Sequence, residues 1–152
     1  EKNYPKTHKD VKISLALQAG DLAILNAFSH EYPYLESLTE HYHLNKKSPM
    51  KAQVFNAILP GMGYWYLGLH KSAFSSLIFN SLFIYTSFHF FREGNIAAGI
   101  LSSCFEFGWY VGSIYGAGES AKYYNERIYE KYASGIAEQH KHTPTIMHRY
   151  GF

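Results

Sequence analysis

The sequence predicts an all-α chain whose centre is an integral membrane helical hairpin, flanked by short amphipathic helices. Three observations predict it. Ala73 to Phe91 contains no charged residue, Ile96 to Ala117 contains only Glu106, and between them lies the charged tight turn Arg92-Glu93-Gly94-Asn95. A spanning helix needs about twenty apolar residues at a rise of about 1.5 Å each. Both stretches reach that length, and so short a turn makes them antiparallel neighbours. The alternative, a buried hairpin in a large soluble protein, needs more chain than 152 residues to cover two helices on all sides.

Composition agrees once it is read by position. The mean hydropathy of -0.24 would suit a soluble protein, but apolar residues crowd the middle and charges the ends. Tyrosine is abundant, 14 residues, and its ring favours water–lipid interfaces. A net charge of +2 is too small to argue for nucleic acid. A single cysteine, Cys104, excludes an intrachain disulfide framework and a thiolate metal cluster.

Five segments follow. Residues 1–48 are short amphipathic helices: Val11, Leu15 and Leu17 to Ala19 lead into a stop at Gly20. Asp21 then caps a helix holding Leu22, Ile24, Leu25 and Phe28, and Pro33 opens one with Leu35, Leu38 and Tyr42. Residues 49–70 are apolar but broken by Pro60, Gly61 and Gly63, which fits a re-entrant or interfacial segment with Tyr64, Trp65 and Tyr66 at headgroup level. A third, kinked span is the competing reading. Residues 71–117 form the transmembrane hairpin. Residues 118–139 form an amphipathic helix with Ala121, Tyr124, Ile128, Tyr132 and Ile136 at helical spacing, lying along the membrane surface or against the N-terminal helices. Residues 140–152 read as an irregular tail.

Lys46, Lys47, Lys51 and Lys71 precede the hairpin and Lys122, Arg127 and Lys131 follow it, against Arg92 alone at the turn. The positive-inside rule therefore places both termini in the cytoplasm. The sequence opens at Glu1 without a methionine; a removed signal peptide would place the N-terminus outside, but no targeting segment is visible at this start.

Within the hairpin, residues whose numbers sum to about 187 lie at equal depth, which sets Glu106 level with Asn80 and Ser81. An ionised carboxylate there costs roughly 2.5–3.5 kcal/mol, less if it is neutral and hydrogen-bonded to Asn80. Ser102, Ser103, Glu106, Tyr110 and Ser113 share one face of the second helix with Gly99, and Ser76, Asn80 and Ser87 share one face of the first. This polar seam either glues the hairpin together or handles a proton or ion through Glu106 with Asn80 orienting it. The opposite face carries Gly108, Gly112 and Gly116, a small-residue stripe that lets another helix approach closely. Other membrane subunits or a second copy would be the partner.

His41-x-His43 and His140-x-His142, with His148, invite a metal, but no carboxylate or thiolate completes a site. No metal, cofactor or catalytic residue is assigned, and Cys104 has no positioned base.

The run Pro60-Gly61-Met62-Gly63-Tyr64-Trp65-Tyr66-Leu67-Gly68, followed by a basic residue and a long apolar helix, resembles the P-G-x-G-x-x-Y-x-G signature of small, uncharacterised two-span bacterial membrane proteins. The resemblance covers about Lys51 to Asn125. It implies a bacterial membrane, with the inner membrane fitting the charge bias, and no established activity. Three functions are carried forward: a non-enzymatic membrane subunit or scaffold; a small transport or proton-handling component centred on Glu106 and Asn80; and a membrane enzyme with a surface histidine cluster.

Overall fold

A computed structural model describes residues 8–139. Seven helices follow in order: α1 His8–Ala19, α2 Leu22–Ser29, α3 Pro33–Asn45, α4 Pro49–Ile58, α5 Met62–Tyr66, α6 His70–Arg92 and α7 Ile96–Gln139. No strand occurs among the described residues, so the all-α class holds. The chain divides into two compact units: residues 1–46 with 125–152, and residues 47–124.

In the first unit the local rules decide the helix ends. Gly20 takes the left-handed φ of 69° that an L-residue resists, and the Asp21 carboxylate then accepts from the backbone N–H groups of Ala23 and Ile24, each at 3.1 Å. Pro33 starts α3, where its missing N–H costs nothing. The core is Ile13, Ala16, Leu17, Leu25, Leu35, Leu38 and Ala133, with Tyr129, Tyr132 and Ile136 packed on it. The last part of α7 thus lies against the N-terminal helices, the second of the two placements expected for it. The core face of α1 is carried by Ile13, Ala16 and Leu17, while Val11 and Leu15 are exposed.

Tyr129 ties α7 to this core. Its hydroxyl donates to the Leu17 carbonyl at 2.8 Å, and its ring meets Tyr42 edge-on. Burial pushes its pKa up to about 12, the Asp21 carboxylate adding to the effect. The unfolded chain releases this proton near pH 10, whereas the folded chain holds it until about 12. The stability present below pH 10 should therefore fall as pH rises between those values. Tyr129→Phe should flatten that fall and cost about 1 kcal/mol at neutral pH through the lost hydrogen bond. Urea unfolding followed by circular dichroism at several alkaline pH values checks both; an unchanged slope in the variant would count against the assignment.

In the second unit α6 and α7 stand where the hairpin was expected, joined by Glu93, Gly94 and Asn95 with Gly94 at φ 78°. Three features bear on the expected segments. Residues 49–58 form a regular helix, capped by the Ser48 hydroxyl accepting from the Lys51 N–H at 3.3 Å, and it ends before the break at Pro60. The helix beginning at Ile96 continues unbroken through Gly118, and the change of composition there is not a structural boundary. Finally, no helix among the described residues is long and apolar enough to cross a membrane. Five serines, a threonine, Asn80 and two histidines lower the average over α6.

Candidate functional site

The segment from Asn56 to Gly68 is a packing knot. Leu59 is extended, as a residue before proline must be, and closes α4. Gly61 turns the chain at φ 94° and lies directly against the backbone of Ala73 in α6, where a β-carbon would meet the Ala73 carbonyl oxygen inside contact distance. Gly63 sits as tightly against the Ala52 carbonyl of α4, with Ala117 of α7 also against it. Gly61 and Gly63 thus let three helices approach at one point.

Asn56, fully buried, holds this knot. Its Oδ1 accepts from the Gly61 N–H at 2.9 Å and its Nδ2 donates to Ser113 Oγ at 3.0 Å. The Tyr64 hydroxyl donates to the Ser113 carbonyl at 3.3 Å and also lies against Gly116. The Tyr110 hydroxyl donates to the Ala57 carbonyl. Tyr66 accepts from the Ser48 N–H at 3.3 Å, packs edge-on with Phe55 and takes the Lys47 ammonium over its ring at 4.9 Å. Gly68 makes the final turn at φ 76°. The motif expected to seat the chain at an interface engages Gly61, Gly63, Tyr64 and Tyr66 internally, while Met62, Trp65 and Gly68 are exposed. Nothing local in the sequence marked Asn56, because its partner Ser113 is 57 positions away.

The glycine stripe divides. A β-carbon at Gly108 or Gly112 would meet nothing within 4 Å, but Gly116 is already covered by Tyr64. Exposed Leu101, Phe105, Val111 and Tyr115 surround the two open glycines, all on the same helical face.

Of the expected polar seam, Ser76, Asn80, Ser87 and Ser102 are each more than nine-tenths buried, whereas Ser103, Glu106 and Tyr110 are half-buried. The Phe79–Trp109 ring pair, 5.2 Å between centroids, shows α6 against α7 and fixes the register; its numbers add to 188, one from the expected 187. Tyr110 leaves the seam for α4, and Ser103 donates to the Gly99 carbonyl of its own helix at 2.9 Å. The expected Asn80–Glu106 hydrogen bond is not formed. Asn80 Nδ2 donates instead to the Ser76 carbonyl one turn back, at 2.6 Å. Among the described residues five buried side-chain atoms have no protein partner: Ser76 Oγ, Asn80 Oδ1, Ser87 Oγ, Ser102 Oγ and Glu106 Oε2. Each such group costs about 1–3 kcal/mol when left dry. Five together approach the entire stability of an ordinary domain, about 5–15 kcal/mol.

Among the described residues no group of three or more His, Cys, Asp or Glu side chains is placed to hold a metal. His41 stacks on Tyr132 at 5.1 Å; His140, His142 and His148 lie outside the described residues. Comparison with family models, curated proteins and solved structures found no match.

Proposed function

We propose that the chain is a non-enzymatic subunit or scaffold of a bacterial membrane, whose hairpin docks onto a larger membrane complex. The observation that carries this reading is an inverted distribution of polarity in α6 and the Ile96–Ala117 part of α7. The buried residues of α6 are Ala73, Ser76, Asn80 and Ser87. Its exposed residues include Phe74, Leu77, Ile78, Leu82, Ile84 and Phe88, and those of α7 include Ile100, Leu101, Phe105 and Phe107. In water this arrangement forfeits about 25 cal/mol for every Å² of apolar surface left exposed. Lipid removes that cost and reverses which face belongs inside.

Mean hydropathy counts the polar seam against insertion although it is sheltered between the two helices, so the average understates how apolar the outer surface is. The positive-inside bias supports cytoplasmic termini for an inner-membrane location. Open Gly108 and Gly112, framed by exposed apolar side chains, suit a close-packed helix of another subunit or of a second copy.

Gentle extraction from native membranes, with mass determination and identification of what co-purifies, tests the scaffold reading. A partner in fixed ratio is expected, and a bare monomer in every mild detergent would overturn it. Gly112→Leu should lower recovery of the complex about tenfold, equivalent to about 1.4 kcal/mol, while the isolated chain keeps its helix content because the substituted face is open.

A further inference from the structure

The unpartnered atoms of the seam lie in a file. On α6, Ser76 and Asn80 are one turn apart, about 6 Å along the axis. On α7, Ser102 and Glu106 are spaced in the same way. The Phe79–Trp109 contact aligns the two helices so that Asn80 and Glu106 share one level and Ser87 and Ser102 share another.

The chemistry of the atoms selects the occupant. The Asn80 amide cannot be turned over, because that would set Oδ1 against the Ser76 carbonyl oxygen that Nδ2 now binds. Oδ1 therefore faces the seam as a pure acceptor, and an ionised Glu106 Oε2 is another. Buried acceptors left without a protein donor need water or a proton beside them.

We propose that the α6/α7 seam is a hydrated proton-exchange site, with Glu106 as its titrating group and waters held by Ser76, Asn80, Ser87 and Ser102 as its relay. In the neutral state the Glu106 carboxyl proton is donated into the file, where Asn80 Oδ1 accepts directly or through water. Release breaks the Glu106 O–H bond, leaves its electron pair on the carboxylate and passes the proton to the adjoining water, which hands one on to bulk water. Uptake runs the same steps in reverse.

Among the described residues no second ionisable group competes at this level. On α6 the nearest are exposed Tyr85 and His89, five and nine residues beyond Asn80 towards the hairpin turn. On α7 Cys104 is exposed and the Tyr110 hydroxyl is engaged with Ala57. The only charged residue of α4 is Lys51, in its first turn, and α5 offers Tyr64 and Tyr66, both engaged within the knot. The seam belongs to the helix pair itself, so the inference stands apart from whatever partner covers Gly108 and Gly112.

The test is infrared difference spectroscopy of the full chain in phosphatidylcholine–phosphatidylglycerol vesicles, titrated from about pH 4 to 9 in H₂O and D₂O. A carboxyl band that titrates, vanishes in Glu106→Gln and shifts position in Glu106→Asp is expected. Its deuterium shift should be complete within mixing time, and at least tenfold slower in Ser76→Ala/Ser102→Ala, which removes the flanking hydroxyls and leaves the carboxyl. Two carboxyl variants guard against loss of one through misfolding. Absence of a Glu106 band at every pH, a band that never exchanges, or unchanged exchange in the serine double variant would each overturn the proposal.

Discussion

Gly61→Ala should unfold most of the second unit, costing about 3 kcal/mol or more. Two effects add there. The φ of 94° is strained for any residue with a β-carbon, worth about 1–2 kcal/mol. The new methyl would also strike the Ala73 carbonyl, and a backbone atom in a helix cannot rotate away as a side chain would. Gly68→Ala supplies the internal control. Its φ of 76° carries the strain, but nothing lies within 4 Å, so only about 1–2 kcal/mol should be lost. Thermal or denaturant unfolding in the same detergent measures both. Equal losses at the two positions would show that the close approach of Gly61 to α6 contributes nothing.

Asn56→Ala should be the second most damaging change, about 3 kcal/mol. It strands the buried Gly61 N–H, removes the donor to Ser113 Oγ and leaves a cavity where α4, α5 and α7 meet. Asn56→Asp separates these contributions. The carboxylate keeps the acceptor for Gly61 but loses the donor and buries a charge, so that variant should be unstable at neutral pH and recover as the pH is lowered and the carboxyl becomes protonated. A pH-independent defect in Asn56→Asp, matching that of Asn56→Ala, would mean that packing volume and not hydrogen bonding dominates at this position.

Helix ends were legible wherever local chemistry determines them. Gly20 with Asp21, Pro33, and the Arg92–Asn95 turn each act through their own backbone geometry or cap, and the structure places helix ends at all of them. The register of the hairpin was legible too, since a three-residue connection leaves little freedom; Phe79 against Trp109 falls within one residue of it. What escaped the sequence depends on distant partners. Asn56 in an apolar run has no signature until Ser113 is beside it. Gly118 marks a change from apolar to charged composition, yet a glycine inside a helix costs only about 1 kcal/mol, and Gln53 lies against the space its missing side chain leaves. Asn80 could have reached across to Glu106 or back to its own helix, and spacing alone does not choose between them. In the structure its Nδ2 donates to the Ser76 carbonyl of its own helix.

The roles of Pro60, Gly61, Gly63, Tyr64, Tyr66 and Gly68 show the same limit. Glycines beside aromatic residues fit an interfacial seat, but they equally fit a point where backbones touch. Only the positions of Ala52, Ala73 and Ala117 distinguish the two.

Cys104 offers the most direct test of the central proposal, that the inverted helix pair sits in lipid. It is the only cysteine in the chain and is exposed on α7 two residues from Glu106. Native membranes holding the full chain would be treated with a charged, membrane-impermeant thiol reagent, with a lipid-soluble maleimide as the comparison. Insertion predicts that the charged reagent labels Cys104 only after detergent dissolves the bilayer, while the maleimide labels it beforehand. Rapid labelling by the charged reagent in intact membranes, with the chain still helical, would contradict it.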